Sequence, residues 1–250
     1  MPQVGLQLYT VRRETAADFT GTLKAVADTG YQGVEFAGYG SLKAPELAEL
    51  LSTLGLTAIS AHVSFDRLTT ALDQELDYLG LLGARRVVCP SLPEALRGTE
   101  KAWLDVADRL AEVGERCSER GFALAYHNHA FEFTGKVAGK PALDAMLERA
   151  EKLDVELDVG WCKDAGFSPV EYIRRYAGRL PLLHIKDIAY EAGALLTVPL
   201  GQGVVELREV IAAAEAAGVA WLVVEQDECR EPALDSIRVS REYLKSTAGL

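Results

Sequence analysis

A chain of 250 residues with 49% hydrophobic and 25% charged residues can bury a full core, enough for one α/β barrel or two small domains. Its formal net charge of -11 argues against nucleic acid and anionic membranes as partners, because both are held by basic surface. Cys89, Cys117, Cys162 and Cys229 are widely spaced with no CxxC pair, which speaks against a structural zinc site or a disulfide framework and for a reducing, cytoplasmic setting.

The start, VGLQLYTV after Met1, has neither a basic segment nor a long apolar run, so no signal peptide is expected. From there the period of the apolar residues switches repeatedly between that of a strand and that of a helix. Strands are predicted at Val4–Thr10, Gly33–Ala37, Thr57–Val63, Arg86–Cys89, Phe122–His129, Val155–Gly160, Leu182–Asp187 and Trp221–Asp227. Amphipathic helices are predicted at Ala16–Thr29, Pro45–Leu54, Arg67–Leu82, Thr99–Arg120, Ala142–Arg149, Pro169–Tyr176, Leu207–Ala217 and Pro232–Leu244. Gly30, Gly55, Gly83, Gly121, Gly178 and Gly218 fall where helices should stop, and Ser168-Pro169 is a helix start. Alternation of this kind, with no linker or low-complexity segment, predicts a single (β/α)8 TIM barrel domain over residues 1–250. No GxGxxG follows the first strand, so no nucleotide cofactor is expected. The long connection Ile188–Glu206, with VPLGQGV, reads as a cover for the barrel mouth. Its single GxG is weak support for a phosphate site.

Side chains alternate across a strand. The apolar set Leu6, Leu8, Val34, Phe36, Ile59, Ala61, Val63, Leu124, Tyr126, Val155, Leu157, Val159, Leu183, Ile185, Leu222 and Val224 suits the surface that meets the helices. The inner side then carries Gln7, Tyr9, Glu35, Ser60, His62, His127, His129, Glu156, Asp158, His184, Lys186, Glu225 and Asp227, mostly late in their strands. A TIM barrel places its active site at that end. Any one of these residues has a plain structural role open to it, such as a hydrogen-bonded histidine or a surface ion pair. Together they would be costly to bury unless paired or metal-bound. His127, Asp158, His184 and Glu225 have the ligand types of a divalent metal site suited to Mn²⁺, Zn²⁺, Co²⁺ or Fe²⁺ rather than Ca²⁺.

The runs YHNH, ELDVGWCKDAG, LPLLHIKDI, LGQGVVEL and WLVVEQDE resemble the sugar phosphate isomerase/epimerase group of the xylose isomerase-like TIM barrels over nearly the whole chain. The resemblance implies a metal held by His127, Asp158, His184 and Glu225, with Glu35 and His62 meeting substrate. Gln7, Tyr9, His129, Trp161 and Lys186 are further candidate contacts. Two departures stand out: His127 replaces the strand-five glutamate of the epimerases, and Trp161 replaces a histidine often found three residues after the strand-six aspartate. A symmetric pair of metal-bound glutamates is therefore missing.

The implied chemistry is a metal-dependent isomerase or epimerase acting on a keto-sugar or polyol through an enediolate. Glu225 is the first candidate base, on the expectation that a partly dry site raises its pKa. His62, His127 and His129 are candidate proton carriers, Lys186 could steady an oxyanion, and Trp161, Phe131 and Phe133 could form a sugar-stacking wall. The loss of one glutamate raises the standing of a dehydratase or lyase, of the inosose dehydratase kind. A non-catalytic sugar-binding barrel is a further reading, and an endonuclease of the related type is opposed by the acidic charge. A small-molecule sugar is the expected partner, and homo-oligomerisation is compatible with such a chain.

Overall fold

The computed structural model describes residues 1–250. Eight parallel strands close into a barrel: Gln3–Gln7, Gly33–Phe36, Thr57–His62, Arg86–Cys89, Ala123–His127, Asp154–Asp158, Leu182–Ile185 and Trp221–Val224, with the first hydrogen-bonded to both the second and the last. They are called strands one to eight below. Closure leaves no free sheet edge.

Helices surround the barrel because each carries one apolar stripe. In Glu100–Glu119 the buried residues are Trp103, Val106, Ala107, Leu110, Val113, Gly114 and Cys117, at helical spacing. Thr99 caps its start through Ala102 N at 3.1 Å, and Gly121 follows its end at φ 73°. A core of 65 buried residues lies between these stripes and the outward faces of the strands.

Several boundaries differ from those expected. The helix predicted at Ala16–Thr29 is Phe19–Thr29, capped by Asp18 through Gly21 N and preceded by a separate helix Arg12–Ala17, and the one predicted at Arg67–Leu82 is two, Phe65–Thr70 and Leu72–Leu81, divided at Ala71. Seven predicted strands run past the ladder at their C-terminal ends, five of them by two or three residues. The alternation that reads as strand continues there, but the strands diverge and side chains replace ladder partners. Asn128, just past strand five, accepts from Asp158 N at 2.9 Å and donates to Asp158 O at 3.3 Å. Thr10 likewise accepts from Gln226 N at 3.0 Å, joining the ends of strands one and eight.

Inside the barrel the lower layer is apolar: Ile59, Val88, Ala125, Leu182 and Val223, with Trp221 against them. Ile59 was expected on the outer face. The ladder between strands two and three pairs Val34 with Ala58 but Glu35 with Ser60, skipping Ile59. This bulge turns Ile59 inward, so that both Ile59 and Ser60 reach the interior. Gly5 and Gly33 make room: a Cβ on Gly5 would lie 2.3 Å from Ile59 Cδ1, and one on Gly33 would lie 2.8 Å from Thr57 O.

The Ile188–Glu206 connection, expected to be an irregular cover, is largely an antiparallel hairpin of Asp187–Glu191 with Ala194–Val198. Its return is anchored on the Asp187 carboxylate, which accepts from Ile188, Gly201, Gly203 and Val205 N at 2.8–3.1 Å. Those amides are spent internally, and LGQG offers no phosphate cradle.

Candidate active site

The upper layer of the barrel interior is polar and almost entirely buried. Glu35, Ser60, Glu156, Asp158, His184 and Lys186 are 0% exposed, and His127 and Glu225 nearly so. The layer divides into two clusters that meet at His184.

In the first cluster, Glu156 Oε2 lies 2.8 Å from His62 Nε2, 3.2 Å from His184 Nε2 and 3.5 Å from His127 Nδ1. Glu35 sits beside it, 2.6 Å from His184 Nε2 and 3.3 Å from His62 Nε2, while Gln7 and Ser60 donate to it at 2.8 and 2.7 Å. In the second cluster the Lys186 ammonium is 2.7 Å from Asp158, 3.0 Å from Glu225 and 2.7 Å from Asp227. Its stem runs past Gly160, where a Cβ would meet Lys186 Cγ at 2.8 Å. Asp158 also caps the helix Val159–Asp164 through Trp161 N at 2.9 Å. His184 joins the halves, with Nδ1 2.9 Å from Glu225 and Nε2 toward Glu35 and Glu156.

These surroundings set the charges. Burial pushes the Glu225 carboxyl up, but Lys186 and His184 outweigh it and hold it well below the usual carboxylate range. The raised pKa expected of Glu225 is thus corrected: it is an ionised carboxylate. Burial lifts Asp158 to about 6 despite Lys186. Burial would lower His62, yet Glu35 and Glu156 bring it above the ordinary histidine value, whereas burial and Lys186 bring His129 down to about 4.

Above this layer opens a cavity of about 420 Å³ lined by Tyr9, Ala37, His62, Ser64, Pro90, Ser91, His127, His129, Glu225 and Asp227. Tyr9, on a single helical turn after strand one, is 43% exposed there and stacks on the Arg12 guanidinium at 4.2 Å. His129 is held from behind. Phe131 stacks on its ring at 5.4 Å with a 10° interplanar angle, Trp161 stands 5.6 Å away, and the buried Glu132 accepts from its backbone N at 2.7 Å.

Four expected substrate contacts are placed elsewhere. Gln7 and Glu35 lie beneath the cavity and bond to each other, Lys186 is enclosed by its three carboxylates, and Trp161 backs His129 and Lys186. Nor do the aromatics make a sugar-stacking wall. Phe131 backs His129, and Phe133 is core, against Phe167 and Tyr172 at 5.1 and 5.0 Å. Glu156 and Asp227, both on the inner side by alternation, were not singled out for the site. For Glu156 the signal was its spacing two residues before Asp158, which puts both carboxylates on one face.

Two groups of side chains could hold a metal ion, with ligand atoms all within 4.8 Å of one another: His127, Asp158, His184 and Glu225, and His62, His127, Glu156 and His184. The donor types suit a divalent transition metal. His127 Nδ1 and Glu156 Oε1 are buried without a hydrogen-bond partner, whereas the equally buried Asp158 Oδ2 and Asp227 Oδ2 each face the Lys186 ammonium at 2.7 Å. Buried polar atoms are rarely left so, and a cation would satisfy them.

A closed parallel barrel with acids and imidazoles gathered inside its mouth defines a class, and the chain belongs to it: the xylose isomerase-like TIM barrel family, matched over residues 23–247. Within that family it is similar to an inosose dehydratase of Geobacillus thermodenitrificans (strain NG80-2), 25% identical over 275 aligned positions covering 93% of this chain and 90% of that one. A sugar phosphate isomerase/epimerase from Parabacteroides distasonis ATCC 8503 has the same fold, with a TM-score of 0.84 at 24% identity over 99% of each chain. So has the IOLI protein with a binding zinc atom, with a TM-score of 0.80 at 15% identity over 99% of this chain and 98% of that one. No helix is long and apolar enough to cross a membrane, and all four cysteines are free.

Proposed function

We propose that this chain is a metal-dependent lyase that removes water from a keto-polyol of the inosose kind. The supporting observation is the one-sidedness of the base. Glu225 and Asp227, both just beyond strand eight, are the carboxylates on the cavity wall, and the rest of the acid-base lining is three imidazoles and the Tyr9 phenol. Epimerisation through two carboxylates needs one on each face of the reacting carbon. Elimination needs one base to take the proton α to the carbonyl and pass it to the departing β-hydroxyl, which leaves as water; one C–H and one C–O bond break, and one C=C and one O–H bond form.

His127 and His184, common to both candidate ligand groups, would hold the ion with carboxylates beside them. When bound, such an ion polarises a ketone oxygen and makes the neighbouring C–H more acidic. Glu225 is the base, kept ionised by the lysine behind it. Lys186 holds Asp158 and Asp227 in the same cage and so fixes the carboxylate wall. His129, neutral and clamped by Phe131 and Glu132, offers a hydrogen bond to a substrate hydroxyl.

The similarity to a protein named inosose dehydratase over 93% of the chain adds support. An isomerase or epimerase is the second reading, favoured by the neutral His129 imidazole on the same cavity as a second proton carrier. Incubating metal-loaded protein with keto-inositols and ketoses in D₂O separates the two. Loss of one water, abolished by Glu225→Gln, is expected. Deuterium-labelled epimers or isomers of unchanged composition would establish the second reading, and tight binding without turnover would leave a sugar-binding barrel.

A further inference from the structure

Beside the cavity above the polar layer lies a second, of about 510 Å³, and the two share His62 and Ser64 in their walls. Ala37 lines the first and Gly38 the second, so the loop after strand two also runs along both. Each has the size of a small-molecule site. The chemistry at Glu225 occupies the first and leaves the second without a use. We infer that the second cavity is a subsite for a further sugar ring, so that the substrate is a keto-polyol carrying a glycosyl group, with the keto ring over His127 and Glu225 and the other ring beyond Ser64. This deepens the reading above by naming the substrate class, and rests on it for which ring reacts.

Three observations carry the assignment. The first is continuity. Ser64 is exposed between the two cavities, at the start of helix Phe65–Thr70, and its hydroxyl accepts a long bond, 3.4 Å from Arg67 N. The hydroxyl proton is left to donate to a ligand oxygen. A molecule longer than one ring has room on both sides of His62 and Ser64.

The second is the lining. Tyr39 and Tyr78 stack on each other at 4.1 Å and give the second cavity an aromatic wall, with Arg67, Gln74 and Glu75 beside it. Glu75, 5% exposed, accepts from Tyr39 Oη at 3.0 Å and from Arg67 Nε at 2.6 Å. Aromatic rings cover the C–H face of a sugar, and guanidinium, amide and carboxylate groups around them take its hydroxyls. Arg67 is the one lysine or arginine in this wall, and Glu75 neutralises it. A phosphate or carboxylate would find no unpaired guanidinium there, whereas a neutral, hydroxyl-rich ring needs none.

The third is rigidity. The loop that carries Tyr39 is fastened to helix Leu72–Leu81 twice, by Tyr39 on Glu75 and by Tyr78 Oη donating to Leu42 O at 2.8 Å. Gly38 and Gly40 flank Tyr39 at φ 96° and 62°, left-handed backbone that favours glycine, and a Cβ on Gly40 would lie 2.8 Å from Phe19 Cγ. The aromatic wall is in place before a ligand arrives, which lowers the ordering cost of binding.

The test is binding by compounds that lack the keto group and so are read without turnover. Metal-loaded protein is titrated calorimetrically with myo-inositol and its galactoside galactinol, and with methyl glucoside and the methyl glycosides of the glucose disaccharides of each linkage. At least one two-ring compound is expected to bind about tenfold or more tightly than its single ring, the worth of one good aromatic contact. Gln74→Trp, at an exposed helix position where the new side chain fills the cavity, should abolish that preference, and Tyr39→Ala should reduce it. A panel in which no second ring tightens binding, or a preference that survives in folded Gln74→Trp, would overturn the subsite. Should Tyr39→Ala fail to fold, Gln74→Trp decides. The two readings fail separately: loss of water from keto-inositols with no preference for two rings keeps the lyase and removes the subsite, and the preference without loss of water does the reverse.

Discussion

The two layers of side chains inside the barrel share strands three, five, seven and eight and obey opposite rules. The lower layer, Ile59, Val88, Ala125, Leu182 and Val223, contains no polar side chain and is closed by Trp221. The upper layer packs Glu35, Glu156, Asp158 and Glu225 with His62, His127, His184 and Lys186 into the same enclosed space. A plug of apolar groups stabilises by being dry. A polar layer survives burial only because nearly every charge faces an opposite one, and it becomes fragile wherever one partner is removed. The contrast separates a dry, unreactive floor from a charged, reactive mouth, which begins only two residues further along strands five, seven and eight.

The largest effect should come from breaking the upper layer at its one permanent cation. Lys186→Met leaves three carboxylates facing one another in a buried site and is expected to destabilise the fold by about 4 kcal/mol. It should also raise the pKa of Glu225 and abolish turnover. Urea denaturation followed at several pH values checks this, and the loss should shrink in acid as the carboxylates protonate.

The lower layer should answer differently. Ile59→Ala removes the side chain that the bulge turns inward, with an expected loss of about 3 kcal/mol from transfer and cavity terms. Bound metal and the pH profile of activity should stay as in wild type. A change in metal content with this variant would show that the layers are not separable.

The smallest effect belongs at the rim, where Glu132 accepts from Tyr126 Oη and from His129 N, each at 2.7 Å. Burial lifts its pKa from 4.5 to about 7 against these bonds. A carboxyl whose folded value is raised stabilises fully below its unfolded value, and that contribution falls as pH rises through the folded one. Stability should therefore decline between about pH 4.5 and 7, by on the order of 2–3 kcal/mol from this group. Glu132→Gln should flatten that segment of the curve, and a slope unchanged from wild type would assign it to other groups.

Much of this was legible before any coordinates. The (β/α)8 order, the helix stops at glycines such as Gly121, and the inward polar set all follow from period and alternation, which are properties of neighbours along the chain. Alternation also put Glu156 and Asp158 on one face, although only proximity to His62, His127 and His184 made Glu156 prominent. The strand ends were misjudged because alternation persists after the ladder stops, and Ile59 was misplaced because a bulge is a property of two strands and not one.

The sequence alone determined that six of eight strands would present acids and imidazoles toward one end of a barrel, since each strand's own pattern dictates which way its side chains point. Only the tertiary structure decided how those groups pair. His62, His127, His184 and Glu156 come from four strands, and Lys186, just past strand seven, reaches Asp158 at the end of strand six and Asp227 beyond strand eight. Coulomb interactions depend on distance through space. Which carboxylate is neutralised by the lysine, and which is left facing imidazoles, was therefore settled only when the barrel closed.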